Sequence, residues 1–404
     1  MKTQLVSLGL VVLAFAGGCS PNVACPYGMG RSVPAAVFAV EGTTTSVTMS
    51  FPAPIRCALP EGTLVATGTF TDAVGGEQPL VIDSLTHAQS SGSANVTVSF
   101  SATTPGQGEL RLFVDPQLGI AFVPVNIARD GTKLPTVDER SPCPEPQRTR
   151  AGHLVCQDAG VAVYRGGQLV ASFPRASGAQ VVGDVLWVQG GADAGPLLSF
   201  ERFVTRDGGL ALSHQGSVGG FRPPSLGYAD EQRVSALGTT AIAQPDGGLE
   251  FVTTQVAVNT ETVVSEGDTA WRWASGRWCA ADGGCLTGGN PTTMAGVQQD
   301  VWWAFEAPSL IVHRRPIADA GGFASVPLAQ GASFATRRAH VTGARRPLWN
   351  DPRQGQYLFE WRADAGGLVL THFPDHPQVW QGPDVIAFSL DGGVVRFYTL
   401  SQDD

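Results

Sequence analysis

A short turn, Asp-Gly-Gly or Asp-Ala-Gly, recurs along the second part of this chain and constrains its fold more than any other feature. It begins at Asp158, Asp193, Asp207, Asp246, Asp282, Asp319, Asp364 and Asp391. Asp and Gly accept the positive φ angles of tight hairpin loops, so each instance marks a reversal between two antiparallel strands. From Asp207 to Asp364 the turns return every 36 to 45 residues, close to the roughly 40 to 50 residues of a four-stranded propeller blade. Asp193 and Asp391 depart from that period. Apolar runs flank the turns, as in Val185 to Val188 with Leu197 to Phe203, and Tyr357 to Trp361 with Leu368 to Thr371. The expectation is a β-propeller-like domain over 151–404 with about six blades; a large β-sandwich is the alternative, since many short strands with regular turns fit it too.

Upstream the pattern is different. Val47, Met49 and Phe51, then Val96, Val98 and Phe100, then Leu110, Leu112 and Val114 alternate with polar residues, the period of strands half buried against one core. Breaks such as Ser91-Gly92-Ser93 and Thr104-Pro105-Gly106 separate them. Residues 25–130 therefore read as an immunoglobulin-like β-sandwich by size and strand count, although no Trp stands there to complete a Cys-Trp-Cys signature. Segment 131–150, with Pro135, Pro142, Pro144 and Pro146 among charges, reads as a stiff Pro-rich linker. All nine tryptophans lie beyond it.

Helical periodicity is nearly absent after the first residues, and 50 Gly and 28 Pro among 404 residues fit many tight turns. The apolar share of 43% is enough for packed cores, which excludes a disordered class. A net charge of −9 argues against nucleic acid as a general partner.

The first residues carry an address. Met1-Lys2 precedes an apolar run from Leu5 to Phe15, which ends Ala16-Gly17-Gly18-Cys19. The run is too short for the roughly 20 residues of a membrane-spanning helix and has the layout of a cleaved export signal. It resembles the type II signal peptides of bacterial lipoproteins, in spite of Ala16 where Leu is commoner. The resemblance implies a signal peptide over 1–18, acylation of Cys19, a lipidated tether over 19–24, and a lipid bilayer as one partner. Each buried acyl methylene contributes about 0.8 kcal/mol, so two or three chains anchor almost permanently. Ser20 in place of Asp implies, by enteric-type sorting, the outer membrane. The expected location is the cell envelope, facing the periplasm or the cell surface.

Six further cysteines then belong to an oxidising compartment. They fall into neighbouring pairs, Cys25 with Cys57, Cys143 with Cys156, and Cys279 with Cys285, and disulfides in that pairing are expected among the 15 possibilities.

Local catalytic motifs are missing. His-Glu-x-x-His, Gly-x-Ser-x-Gly, the Walker loop and Gly-x-Gly-x-x-Gly do not occur, so no catalytic residue, cofactor or metal is assigned. His372, Asp375 and His376 form the one His cluster, but Pro374 and Pro377 deny it a helical face, and it reads as a polar turn. Arg337, Arg338, Arg345 and Arg346 make a local basic zone suited to phosphate or carboxylate. Trp271 and Trp302 are candidates for stacking on a sugar ring. Asp184, Asp268, Asp300 and Asp384 each stand just before an apolar strand. That recurrence is the one hint of the alternative function, a propeller-type polysaccharide-degrading enzyme with carboxylates converging in a channel. The favoured expectation is a membrane-anchored, non-enzymatic module that binds or scaffolds a protein or glycan.

Overall fold

The computed structural model describes residues 32–400 except 35, 53–63, 73, 91–92, 116–117, 191–196, 207–208, 220–228, 230, 237–238, 254–262, 267–268, 275–276, 281–284, 288–293, 299–300, 307–310, 317–323, 328–347, 352–354, 363–366, 376–377 and 383. Through 254–354 it gives strand pairing, with side chains at 277–279 and 285 only. The described chain is all-β, and among the described residues no helix is long and apolar enough to cross a membrane.

The first region is a β-sandwich. Its strands are β1 (Val37–Val40), β2 (Thr45–Pro52), β3 (Val65–Asp72), β4 (Glu77–Pro79), β5 (Val81–Ser90), β6 (Ser93–Ser101), β7 (Gly106–Asp115) and β8 (Leu118–Asp130). One sheet runs β2-β6-β5; the other runs β8-β7-β3-β4, with β1 parallel to β8. The β2–β6 pair shows why the sequence folds this way. Val47, Met49 and Phe51 sit opposite Val98, Val96 and Ala94, all of them buried in one core with Leu110, Leu112, Val123 and Val125 of the facing sheet. The alternate residues point outward and join hydroxyl to hydroxyl, Ser46 with Ser99 at 2.8 Å and Thr48 with Thr97 at 2.9 Å. A register slip of one residue would exchange these two faces, so the alternation fixes the pairing.

The second region is a succession of antiparallel sheets in chain order. They are β10 (Gln147–Arg148), β11 (Leu154–Cys156), β12 (Val161–Arg165) and β13 (Gln168–Phe173); β14 (Ala176–Val182), β15 (Val185–Gly190), β16 (Leu197–Arg206) and β17 (Gly209–Gly219); and β18 (Arg233–Ala236), β19 (Thr239–Ala243) and β20 (Leu249–Thr253). Next come β21 (Val263–Glu266), β22 (Thr269–Ala274), β23 (Arg277–Ala280) and β24 (Cys285–Thr287); then β25 (Met294–Gln298), β26 (Val301–Glu306), β27 (Ile311–Pro316) and β28 (Ala324–Pro327). The last are β29 (Leu348–Asp351), β30 (Gly355–Arg362) and β31 (Gly367–Phe373), followed by β32 (Gln378–Gln381), β33 (Val385–Ser389) and β34 (Val394–Thr399). The β12–β13 hairpin turns on Gly166 and Gly167, both at positive φ (55° and 78°), a two-residue loop that only Gly, Asn or Asp enter at low cost.

The sheets built on β15 and β33 bury both faces. Along β15, Leu186 and Val188 pack with Leu154, Val155 and Val163 of the first sheet, whereas Val185 and Trp187 pack with Val234 and Ala241 of the third. On β33, Val385 and Ala387 join the first sheet's cluster, and Ile386 and Phe388 pack with Leu358 and Phe373 of β30 and β31. The first three sheets therefore stack face to face in sequence order, and the last packs against the first on one side and against β30 and β31 on the other.

Segment 131–150 is not a bare connector. It opens with a 3-10 turn at Gly131–Lys133, capped by Asp130, whose carboxylate accepts from Thr132 N at 3.0 Å. It continues as β9 (Thr136–Arg140), the fourth strand of the last sheet, antiparallel to β34. Asp138, Glu139 and Arg140, three of the charges that made this segment look like a linker, lie on the open edge of that sheet, where polar side chains face water. Arg396 clasps Asp138 there through two bonds of 2.7 and 2.8 Å.

The two regions share strand β8. Its final residues pair in parallel with β31, Arg129 opposite Thr371 and Asp130 opposite His372, and Phe38 meets Tyr357 with ring centroids 5.3 Å apart. Gly131 is buried here, where a Cβ would strike the His372 carbonyl and the Phe373 ring.

Candidate functional site

Among the described residues a concavity lies where the last sheet meets the first. One wall is the loop before β10, which carries Cys143, Pro144 and Glu145. The Cys143–Cys156 disulfide, Cα–Cα 5.9 Å, ties that loop to the end of β11. A second wall is the turn after β11, where Gln157 and Asp158 precede Ala159 and Gly160, both at positive φ. The third is β32, which supplies Val379 and Trp380. Together they line a cavity of about 450 Å³.

Two side-chain amides hold this geometry. Gln157 donates to Ala179 O at 2.8 Å and accepts from Ala179 N at 3.0 Å. Gln147 donates to Ala179 O at 3.0 Å and accepts from Val181 N at 2.7 Å. Both amides thereby bind the edge of β14 as a strand would, which fixes the wall that carries them. Trp380 packs into the apolar cluster of the stacked sheets, only 5% exposed, and its indole Nε1 is buried with no hydrogen-bond partner. Glu145 and Asp158 are exposed at the rim.

A second polar centre lies at the turn between β10 and β11. Arg150 donates from Nε to Asp384, and its backbone N donates to Gly183 O at 3.1 Å. The hydrogen bond to Asp384, with the charges of Asp384, Glu231 and Asp184, raises its pKa against the opposing effect of burial. Asp184 accepts from Ala151 N at 2.8 Å and from Thr205 Oγ1 at 3.2 Å. His153, wholly buried beside it, has its Nε2 without a partner. Burial, then repulsion from Arg165, pulls its pKa below the ordinary imidazole value, with Asp184 opposing. These groups close turns between neighbouring sheets.

The residues singled out from sequence fare as follows. Cys143–Cys156 and Cys279–Cys285 are bonded, the second across the β23–β24 hairpin in direct register. Cys19, Cys25, Cys57, Arg337, Arg338, Arg345 and Arg346 lie outside the described residues, as do Asp268, Asp300 and His376. Trp271 is placed on β22 opposite Ala280, and Trp302 on β26 opposite Arg315; their side chains lie outside the description. Asp184 and Asp384 serve the turn contacts above. Asp375 accepts from Tyr398 Oη and stands 3.6 Å from Arg396. Burial, aided by that hydrogen bond, pushes the Tyr398 phenol up to about 12. Among the described residues no group of three or more potential ligands gathers to hold a metal.

Sequence reasoning did not single out Trp380, Glu145 or Arg150 individually, and it treated Asp158 as a turn residue only. The signal for Glu145 was its place between Pro144 and Pro146 beside a cysteine, a pattern equally suited to a surface loop.

No protein-family model matches the chain, and no curated protein matches it. Among solved structures it is similar to the Yersinia pseudotuberculosis adhesin InvE, at 14% identity and TM-score 0.18, over 60% of this chain and 66% of that one. It is also similar to a DUF4784 family protein from Bacteroides caccae, at 10% identity and TM-score 0.19, over 85% and 84% of the two chains. Superpositions at these scores bear on neither the fold nor the site.

Proposed function

We propose that this chain is an extracytoplasmic lipoprotein, anchored through Cys19 at the outer membrane, in which an immunoglobulin-like sandwich presents a β-propeller as a rigid, non-enzymatic binding module. The observation that carries the architecture is the pairing of β9 with β34. A strand from the start of the second region completes the sheet at its end, the device that closes a ring of blades. Seven successive sheets belong to the region when β29-β30-β31 is counted with them, so the reading is seven blades, one more than the turn period implied. Disulfides at Cys143–Cys156 and Cys279–Cys285 fit an oxidising compartment. The cavity at the junction of first and last sheets is the binding site in this reading, because ligand clefts favour such junctions and its size falls within the usual ~300 to 1,000 Å³.

The rival, a polysaccharide-degrading enzyme, draws no support from Asp184 and Asp384, since both carboxylates are committed to turn contacts.

Replacing Cys19 by Ala should move the protein from the detergent phase to the aqueous phase on partitioning, and unchanged partitioning would refute the anchor. For the binding role, the immobilised full chain should retain protein or glycan from its native envelope. A chain that retains nothing ends that reading.

A further inference from the structure

We infer that the Cys279–Cys285 disulfide is a reversible redox site of the folded chain: a dithiol opens it, and its opening releases the edge strand β24. The two bridges among the described residues stand in opposed surroundings. Cys143 and Cys156 are 9% and 4% exposed, and the cavity that Cys143 lines carries the exposed carboxylates of Glu145 and Asp158. Cys285, in contrast, is exposed and Cys279 half-exposed. Arg277, two residues before Cys279 on β23, is exposed as well, and residues two apart on a strand share a face.

Disulfide exchange is carried out by a thiolate, so it needs access and is favoured by positive charge. Both conditions hold at Cys279–Cys285. At Cys143–Cys156 the sulfurs are buried and the neighbouring acids repel an anion. The dithiol's thiolate forms a bond to Cys285 Sγ, the more exposed sulfur, and Cys279 Sγ leaves with the electron pair of the broken S–S bond. Arg277 favours that departure, because a nearby cation stabilises a thiolate. The second thiolate of the reagent then displaces Cys285 from the mixed disulfide. Two electrons and two protons have passed to the cysteines, and the dithiol has become a disulfide.

The bridge sits where its loss has a structural effect. Strand β24 ends the sheet order β21-β22-β23-β24 and pairs with β23 at three positions, Arg277 with Thr287, Trp278 with Leu286, and Cys279 with Cys285. The disulfide thus locks one pair in three. An edge strand this short opens at low free energy once unlocked. Its release leaves β23, which carries the fully buried Trp278, as the edge of the sheet, and an unpaired edge is a template for another strand.

The test uses the full chain, folded in detergent at neutral pH and treated with dithiothreitol. Samples are quenched with iodoacetamide for peptide mapping and, in parallel, followed by hydrogen–deuterium exchange. Cys279 and Cys285 should be alkylated first, about tenfold faster or more than Cys143 and Cys156. On their reduction deuterium uptake should rise over 277–287 and fall again when oxidised dithiothreitol restores the bridge. Arg277→Gln should slow the opening about threefold, the scale of one exposed charge, and the difference should shrink at about 1 M salt. Comparable rates at the two bridges, or earlier loss of Cys143–Cys156, overturn the inference. Reduction with uptake over 277–287 unchanged also overturns it, since the bridge then locks nothing.

Discussion

The sandwich and the stacked sheets use the same strand chemistry to different ends. In the sandwich β2 and β6 have one wet face and one dry face, so Val47, Met49 and Phe51 alternate with Ser46, Thr48 and Ser50, and two sheets close one core. In the second region the inner strand β15 is dry on both faces, with Val185 to Gln189 all buried. Odd and even residues there enter different clusters, so that sheet depends on two neighbours. A sandwich is complete once its two sheets meet, whereas a stack leaves bare faces at both ends unless the last sheet returns to the first. The difference shows in how the pieces are tied. Cross-sheet links in the second region are polar and specific, through Gln147, Gln157, and Arg150 with Asp384.

The largest test of this contrast is a pair of core truncations. Phe100 and Phe388 are both fully buried, and either Phe→Ala change should cost about 3 to 5 kcal/mol. By calorimetry Phe100→Ala is expected to lower the sandwich transition alone, and Phe388→Ala to lower the transition of the whole stack. A single transition depressed equally by both would erase the distinction. Next in size is the Cys143–Cys156 disulfide, which closes a loop with a sequence separation of 13. Replacing both cysteines by Ser should remove about 3 kcal/mol, read from denaturant midpoints, and should leave the sandwich unchanged. A loss shared by both regions would mean that the β8–β31 junction couples them tightly.

The smallest effect concerns pH. Burial keeps His153 neutral in the folded chain, with its pKa below the ordinary value. The unfolded imidazole, with a pKa of about 6.5, takes up a proton that the folded one refuses. Stability from this source is thus complete above the unfolded value and is lost as pH falls from there toward the folded pKa. The slope is at most about 1.4 kcal/mol per pH unit for one proton. His153→Gln should flatten that limb in the stack's denaturant midpoints measured from neutral to mildly acid pH. A limb of the same steepness would assign the acid sensitivity to other groups.

Much of the fold was legible because it rests on local rules. Alternation marked β2, β6 and β7, and Asp-Gly turns marked the reversals at Asp158, Asp246 and Asp391. Neighbouring cysteines also found each other at 143 with 156 and at 279 with 285. The turn rule missed Gly166-Gly167, which makes an equally tight hairpin without an Asp. Strand β9 was hidden for a different reason. Four of its five residues are exposed and three are charged, so nothing local distinguishes them from a linker. Their partner β34 lies more than 250 residues away. The cleft was illegible on the same ground, since Glu145, Asp158 and Trp380 come to line one cavity only when the last sheet reaches the first.

By itself the sequence determined the strand character of the chain, the change of pattern between its two regions, and the pairing of sulfurs close along the backbone. These are consequences of side-chain period and turn stereochemistry, which act over a few residues. Only the tertiary structure decided which sheets stack, which distant strand completes the final one, and that Trp380 would be buried in the stack with its indole donor unpaired. Those outcomes depend on burial between segments hundreds of residues apart, and no short stretch of chain encodes the neighbour it will meet.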